Sequence, residues 1–376
     1  MKPRKDEILT TVLFCGFLAA MFVCYLLLPK KTFSEKEKRY LAESPQFSWQ
    51  TLADGQLGGE VETYMADHIP GRDFFVGLNG TYDLVTGRQI TSDVRLLKGD
   101  RLVESPVLWN QAAAEKNMRA INSFAEAVDT PVDLMLVPSA GWAATSGRVF
   151  TLDLFSRENY EDASMIESIH GLAGEKLNCV DILAVLENQE DYYYRTDHHW
   201  TSEGAYMVYG AYMEQLGKAY PERDAFRVER VSGFTGSNYA RSALWQIPGE
   251  ELELWHGTDG IQVINGEDSQ IHKGIFYPHR LEETDKYTVF LDGNHSTVRL
   301  DNPRNAGQGK ILVIRDSYCN VFGGFLAESY ETVVLVDLRY YKNPVSQLLA
   351  DEEFDRVLIC YSIGNFMTDS NIIWLR

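Results

Sequence analysis

Residues 197–200 read Asp-His-His-Trp, an acid, two imidazoles and an indole in four consecutive positions. Three uses fit such a cluster. An imidazole can act as a base that takes a proton from a hydroxyl, with an acid to fix its tautomer and steady its charge. Three adjacent ligands can hold a metal ion. Or the stretch is a polar turn before a helix. Adjacent side chains point apart, and no H-x₃-H or C-x-x-C spacing accompanies them, so a metal site is the weakest of the three. Asp197 would be the acid, and either His198 or His199 the base.

The hydroxyl that would complete this chemistry is Ser317. An apolar run, Ile311-Leu312-Val313-Ile314, leads into Arg315-Asp316-Ser317. In open α/β sheets, ligands bind beyond the carboxyl ends of the strands. A helix starting just after the serine would present unpaired amides, that of Ser317 among them, to a developing oxyanion. Capping of that helix by Asp316 or Ser317 explains the same residues without chemistry.

The elements that would carry these loops are legible as periodicities. Val132 to Val137 is a short apolar run ended by Pro138, the pattern of a buried strand. Met118, Ile121, Phe124, Ala125 and Val128 mark a helix face over 112–128, and Ala205, Val208, Tyr209, Tyr212, Met213 and Leu216 another after the Asp-His-His-Trp segment. A helix is expected at about 159–173 and a strand at about 178–183. Residues 94–103 read as a hairpin with Lys98-Gly99-Asp100 at its tip, and Pro70-Gly71 as a turn. Residues 226–305 alternate with Gly, Asn and Asp punctuation, as a β-rich insertion would. Strand and helix then alternate to the end, which implies parallel pairing and a doubly wound sheet.

Composition narrows the function class. The 376 residues carry a formal charge of -19, which argues against binding nucleic acid or an anionic membrane surface. Residues 8–28 contain no charge and at about 1.5 Å per residue would span roughly 30 Å, a bilayer's hydrocarbon core. A cleaved signal peptide would have a shorter core and a small-residue cleavage site, whereas Pro29-Lys30-Lys31 follows here, so we read an uncleaved anchor. Basic residues flank both ends, and the charge count does not orient it. Cys15 and Cys24 lie in this span; Cys179, Cys319 and Cys360 lie in apolar runs and read as buried free thiols. The expected organisation is an anchor over 1–29, a polar stalk and extension over 30–90, and a catalytic domain over 91–376.

Seven stretches together resemble the bacterial DHHW protein family, relatives of the alginate O-acetyltransferases. They are SEKEKRYLA (34–42), DHIPGRD (67–73), YRTDHHWT (194–201), FTGSNY (234–239), LDGNH (291–295), VIRDSY (313–318) and VDLRY (336–340). The resemblance implies an SGNH-hydrolase-like fold with its motifs permuted, the serine coming last. Its D-x-H pattern maps onto Asp197 and His199, preferring His199 over His198, with Ser317 downstream. The GDSL and G-x-N-D blocks of ordinary SGNH hydrolases are absent; Asn294, in the β-rich insertion, is an oxyanion or substrate candidate. Arg339 and Tyr361 sit at the ends of the next two expected strands and become oxyanion candidates, although Asp337 or Asp316 would also pair with Arg339. Arg72 is expected to pair with Asp67 or Asp73. Trp200, Tyr194 and Tyr318 would stack on sugar rings or pack in the core.

The function implied is serine O-acetyl transfer to hydroxyls of a cell-surface polysaccharide, without cofactor or metal. A multi-span membrane-bound O-acyltransferase would supply the acetyl groups, and the anchored domain would lie outside the cell. Two other readings share the residues: a carbohydrate esterase using the same three side chains, and a non-catalytic polysaccharide-binding subunit.

Overall fold

Strands that are apolar on both sides must be covered on both faces, and the carboxyl-terminal half of the chain is built on that requirement. The computed structural model describes residues 4–88, 90–146, 159–266, 268 and 270–375. Eight strands form its main sheet: β1 (Val132–Val137), β2 (Leu177–Val180), β3 (Gln262–Asn265), β4 (His272–Lys273), β5 (Thr297–Asp301), β6 (Lys310–Arg315), β7 (Thr332–Val336) and β8 (Arg356–Ser362). Their spatial order is β4-β3-β5-β7-β6-β8-β1-β2. The five strands from β7 to β2 are parallel, and β5, β3 and β4 extend them in antiparallel fashion. The fold is therefore mixed α/β around a mostly parallel sheet.

Strand alternation divides the core in two. Val313, Leu335, Leu358 and Cys360 face one side, while Ile314, Val336, Ile359 and Tyr361 face the other. Within residues 226–305, Arg227–Phe234 and Glu250–His256 pair as a separate two-stranded ribbon, while β3, β4 and β5 join the main sheet. Cys319 and Cys360 are buried free thiols and Cys179 is half-buried.

The chain divides into two compact units: residues 1–86 with 243–246, and residues 87–242 with 247–376. In the first, α1 (Lys5–Leu27) is 23 residues long and none of its residues is buried. Its length and mean hydropathy of 2.2 suffice to cross a membrane. Residues 30–90, expected as a stalk and extension, include α2 (Gln56–His68) and α3 (Arg72–Val85).

In the second unit, α4 (Gln111–Ala127), α5 (Asp162–His170), α6 (Ser202–Gln215), α7 (Ser237–Ser242), α8 (Cys319–Leu326) and α9 (Ile363–Thr368) surround the sheet and its loops. The helix faces read from sequence are the buried ones. α4 and α5 cover the Ile314 side with α9, and α6 and α8 cover the Val313 side.

In the first unit, Arg72 joins Glu37 and lies 3.4 Å from Asp67, one of its two expected partners. Asp67 accepts from Arg39 Nη1 at 3.0 Å and from the Ala42 amide at 2.9 Å. The Arg39 hydrogen bond, against the opposing effect of burial, holds the Asp67 carboxyl down to about 2 from an ordinary 3.8. A carboxyl depressed on folding adds stability above its unfolded value and loses it as pH falls through the folded one. Asp67→Asn should therefore destabilise the full chain most above pH 4, and its deficit should shrink as pH approaches 2. Urea denaturation across that range checks this; a deficit independent of pH contradicts it.

Candidate active site

The segment around 197–200 is a closed loop. Tyr193 and Trp200 bridge its ends, the Tyr194 amide donates to the His199 carbonyl at 3.1 Å, and Thr201 caps α6 through the Gly204 amide. Glu250 accepts from the amides of Arg195 and Thr196 at 2.8 and 2.7 Å, fixing the loop's entry.

Within the loop, Asp197 Oδ1 accepts from the His199 amide at 2.9 Å and meets His199 Nδ1 at 2.5 Å. One carboxylate thus fixes both the backbone and the ring two residues on, a local bond that short polar side chains favour in turns. Asp197 Oδ2 accepts from the Ser237 amide at 2.6 Å. Gly236 makes this approach possible, because a Cβ there would lie 2.2 Å from Asp197 Cβ.

His199 Nε2 lies 2.8 Å from Ser317 Oγ, across 118 residues of sequence. A carboxylate can only accept, so Nδ1 carries the proton toward Asp197 and Nε2 is left to accept from the serine hydroxyl. Burial disfavours charge on Asp197, yet His199, His198 and the Ser237 amide outweigh it and hold the carboxyl well below its ordinary value. The imidazole is sandwiched as well, with the Tyr287 ring stacked on it at 3.9 Å and 8°.

Asp316 sets the serine's turn. Its Oδ1 accepts from the Tyr318 amide at 3.0 Å, and its Oδ2 from the Ser362 amide, the Ser362 hydroxyl and Asn365 Nδ2 at 2.9, 2.8 and 2.7 Å. It therefore ties the end of β6 to the end of β8, in place of the capping role read from sequence: α8 starts after Tyr318 with no side-chain cap. Arg315 is fully buried; its Nη1 donates to Asn294 Oδ1 at 2.9 Å and to Asn320 Oδ1 at 2.7 Å. Asn320 Nδ2 also donates to Asn294 Oδ1 at 3.1 Å. With its oxygen so held, Asn294 has its NH₂ left as a donor.

Other sequence candidates fall differently. His198 Nδ1 pairs with Ser237 Oγ at 2.7 Å, so it is not the imidazole on the serine. Burial, then the neighbouring His199, lowers its basicity. Trp200 and Tyr194 are 0% and 2% exposed and have no face to offer a sugar. Trp200 Nε1 donates to the Tyr318 carbonyl at 3.0 Å, and Tyr194 packs edge-on against Phe234. The Tyr318 hydroxyl donates to the His198 carbonyl. The Arg339 guanidinium is held by Asp337, Nη2 to Oδ2 at 2.6 Å. Strand alternation sends Tyr361 to the α4 and α9 face, opposite Cys360. No hydrogen bond among the described residues links either Arg339 or Tyr361 to Ser317; both line a cleft beside its turn together with Asp316.

Asp197, His198 and His199 offer ligand atoms within 4.8 Å of one another. Both ring nitrogens of His199 and both oxygens of Asp197 are, however, already engaged by protein groups.

Two clefts flank the serine turn. Tyr318, His198 and Ser362 line one of about 380 Å³; Asp316, Arg339 and Tyr361 line another of about 240 Å³; Asn365 and Thr368 border both. Sequence reasoning missed Asp316's full role, Arg315, Asn320, Glu250 and Tyr287. Only the FTGSNY and RDSY stretches signalled any of this, through Gly236 and the two residues before the serine.

The model of the family described as DHHW protein matches residues 175–336, a span that holds Asp197, His199 and Ser317. A DHHW family protein from Eubacterium siraeum shares the fold with a TM-score of 0.64 and 21% identity, over 76% of this chain and 95% of that one. Bacillus cereus PatB1, solved with a sulfonyl adduct, matches with a TM-score of 0.61 and 18% identity, over 74% of this chain and 97% of its own. The O-acetyltransferase domain of Pseudomonas putida AlgJ aligns at 0.44 and 14% identity, over 73% and 92% of the two chains. No curated protein matches the chain. The DHHW match bears out the family resemblance read from the sequence; the structures, at such identities, show a common fold.

Gly236→Ala should push Asp197 off His199. A displacement near 1 Å would slow covalent labelling of Ser317 by a sulfonyl fluoride on the order of 10²-fold, at unchanged circular dichroism. Labelling at the parent rate would mean that the loop yields without losing the contact.

Proposed function

We propose that the chain is a membrane-anchored serine O-acetyltransferase of SGNH-hydrolase-like fold that acetylates hydroxyls of a cell-surface polysaccharide. The single observation that carries the reading is the continuous line from Asp197 through His199 to the Ser317 hydroxyl. In it, Ser317 Oγ attacks the acyl carbonyl of a donor while its proton passes to His199 Nε2. The tetrahedral oxyanion collapses, and the donor's leaving group departs with that proton. A sugar hydroxyl then gives its proton to His199 and attacks the acyl-serine. Collapse returns the proton to Ser317 Oγ and releases the acetylated sugar. Asp197 holds the imidazole and balances its charge through both steps.

The Ser317 amide and the Asn294 NH₂ are the oxyanion donors in this reading. Asn294 earns that place from its fixed oxygen, which aims the amide nitrogen outward from the Arg315 and Asn320 side. The chemistry draws on no metal or cofactor. α1 would keep the domain of residues 91–376 beside the outer membrane surface, where a multi-span O-acyltransferase could hand acetyl groups over. The sulfonyl adduct in PatB1 supports using a sulfonyl fluoride as the probe of Ser317 here.

With p-nitrophenyl acetate as donor and an oligosaccharide as acceptor, Ser317→Ala should abolish both p-nitrophenol release and sugar acetylation. Asp197→Asn should lower turnover by about 10⁴-fold, as removal of the acid from such a relay does. Release that depends on Ser317 without any sugar acetylation would indicate an esterase. Sugar acetylation unaffected by Ser317→Ala would sink the catalytic reading.

A further inference from the structure

We propose that the acceptor is an uncharged, polyhydroxylated glycan where it passes Ser317, and not a polymer of uronate or phosphate-bearing sugars. The inference rests on the acetyltransferase reading and specifies its substrate class. It comes from the charge inventory of the larger cleft. That cleft is lined by His198 and Tyr318, the chain neighbours of the reacting pair, and by Ser362, and its walls carry Asp93, Glu104 and Arg241.

Recognition of an anionic sugar calls for a cation free to meet it, since a carboxylate stripped of water without a partner is strongly disfavoured. Among the described lining residues Arg241 is the one guanidinium, and the cleft's own acid meets it at Nη2 and offsets its charge. Arg241 Nη2 donates to Glu104 Oε1 at 2.8 Å and to Asn238 Oδ1 at 3.0 Å. Asp93 adds a second carboxylate to the wall. His198 supplies no compensating charge, because burial and the adjacent His199 both disfavour its protonated form. The smaller cleft repeats the arrangement: Asp316 and Asp369 line it, and its Arg339 is clasped by Asp337. The whole chain, at -19, repels a polyanion before contact.

The larger cleft is lined by hydroxyls and an amide without net positive charge: Ser105, Ser139, Ser362, Asn365 and Thr368. Ser362 and Asn365 also serve Asp316, Ser139 accepts from the Trp142 amide and Thr368 donates to the Gly364 carbonyl, so a sugar would meet their remaining donor and acceptor sites. A hydroxyl can both donate and accept, and an amide carries a donor and an acceptor side by side, which suits the hydroxyl pattern of a neutral sugar.

The test uses the full chain in detergent, p-nitrophenyl acetate as donor, and two acceptors of equal length, a neutral hexose oligosaccharide and a hexuronate oligosaccharide. The neutral acceptor should show at least about tenfold higher kcat/KM at low salt. That gap should narrow as ionic strength rises from about 0.01 to about 0.5 M, because screening weakens repulsion between the cleft and the uronate. Asp93→Asn combined with Glu104→Gln should narrow the gap about threefold or more, read as the ratio between acceptors. Should that variant fail to fold, the salt series on the parent chain still decides. Uronate acetylation within about threefold of the neutral acceptor overturns this inference alone. So does a gap that neither salt nor the double substitution changes. Acetylation of neither sugar, with Ser317-dependent donor cleavage intact, overturns the transferase reading and this inference with it.

Discussion

The hydrogen bond between His199 and Ser317 joins two loops separated by 118 residues, and everything around it serves to make that contact unavoidable. A lone hydrogen bond of this type contributes only about 1 kcal/mol net, too little to hold two loops in register. The loops are laced twice more. Trp200 Nε1 reaches the Tyr318 carbonyl, and the Tyr318 hydroxyl reaches the His198 carbonyl. Each stitch uses a large aromatic side chain that is also buried in the sheet's upper core, so apolar burial supplies the energy that the reactive contact lacks. The aromatic residues of the motif are structural members that deliver its histidine.

The same division of labour explains the buried charges. Asp197 and Asp316 are each almost fully buried, and each is satisfied by several donors that belong to different segments. A buried carboxylate is tolerable only when so satisfied, and once satisfied it is rigid. Asp197 thereby welds the 236–237 segment to the histidine loop, and Asp316 welds β8 to the serine turn. Each half of the site is thus held by its own carboxylate as well as by the stitches between the loops, which is the condition for electrostatic preorganisation.

Much of this architecture was readable from periodicity. The strand over 132–137 and the faces of α4 and α6 follow directly from apolar spacing, because burial on one side or both leaves a strong pattern. The placement of Asp197 and His199 in a turn ahead of α6, and of Ser317 beyond β6, was likewise legible from local order. Arg339 and Tyr361 show what such reasoning leaves open. Lying at the strands' carboxyl ends puts a residue at the right edge of the sheet, but face and side-chain partner are separate questions. For Tyr361 strand alternation settled the face, and for Arg339 a bidentate acid two residues earlier settled the partner. Glu250 and Tyr287 were invisible because they act across long sequence separations, and nothing local marks an acid that caps a distant loop or a ring that stacks on a distant imidazole.

Arg315 concentrates the remaining physics of the site. It is a fully buried cation one residue from Asp316, with Asp337 3.9 Å away and two asparagine oxygens on Nη1, while its Nε and Nη2 have no hydrogen-bond partner among the described residues. Guanidinium stays protonated under such burial, so the charge is kept at the expense of desolvation. Packing alone would be better served by an aliphatic side chain at the end of β6. The arginine does two things that no aliphatic residue can. It fixes the oxygens of Asn294 and Asn320, so that the Asn294 amide is oriented, and it places a fixed positive charge two residues from the serine hydroxyl. On the acetyltransferase reading proposed above, that buried charge would stabilise negative charge developing on an acyl oxygen more than the neutral carbonyl, and that difference would lower the barrier.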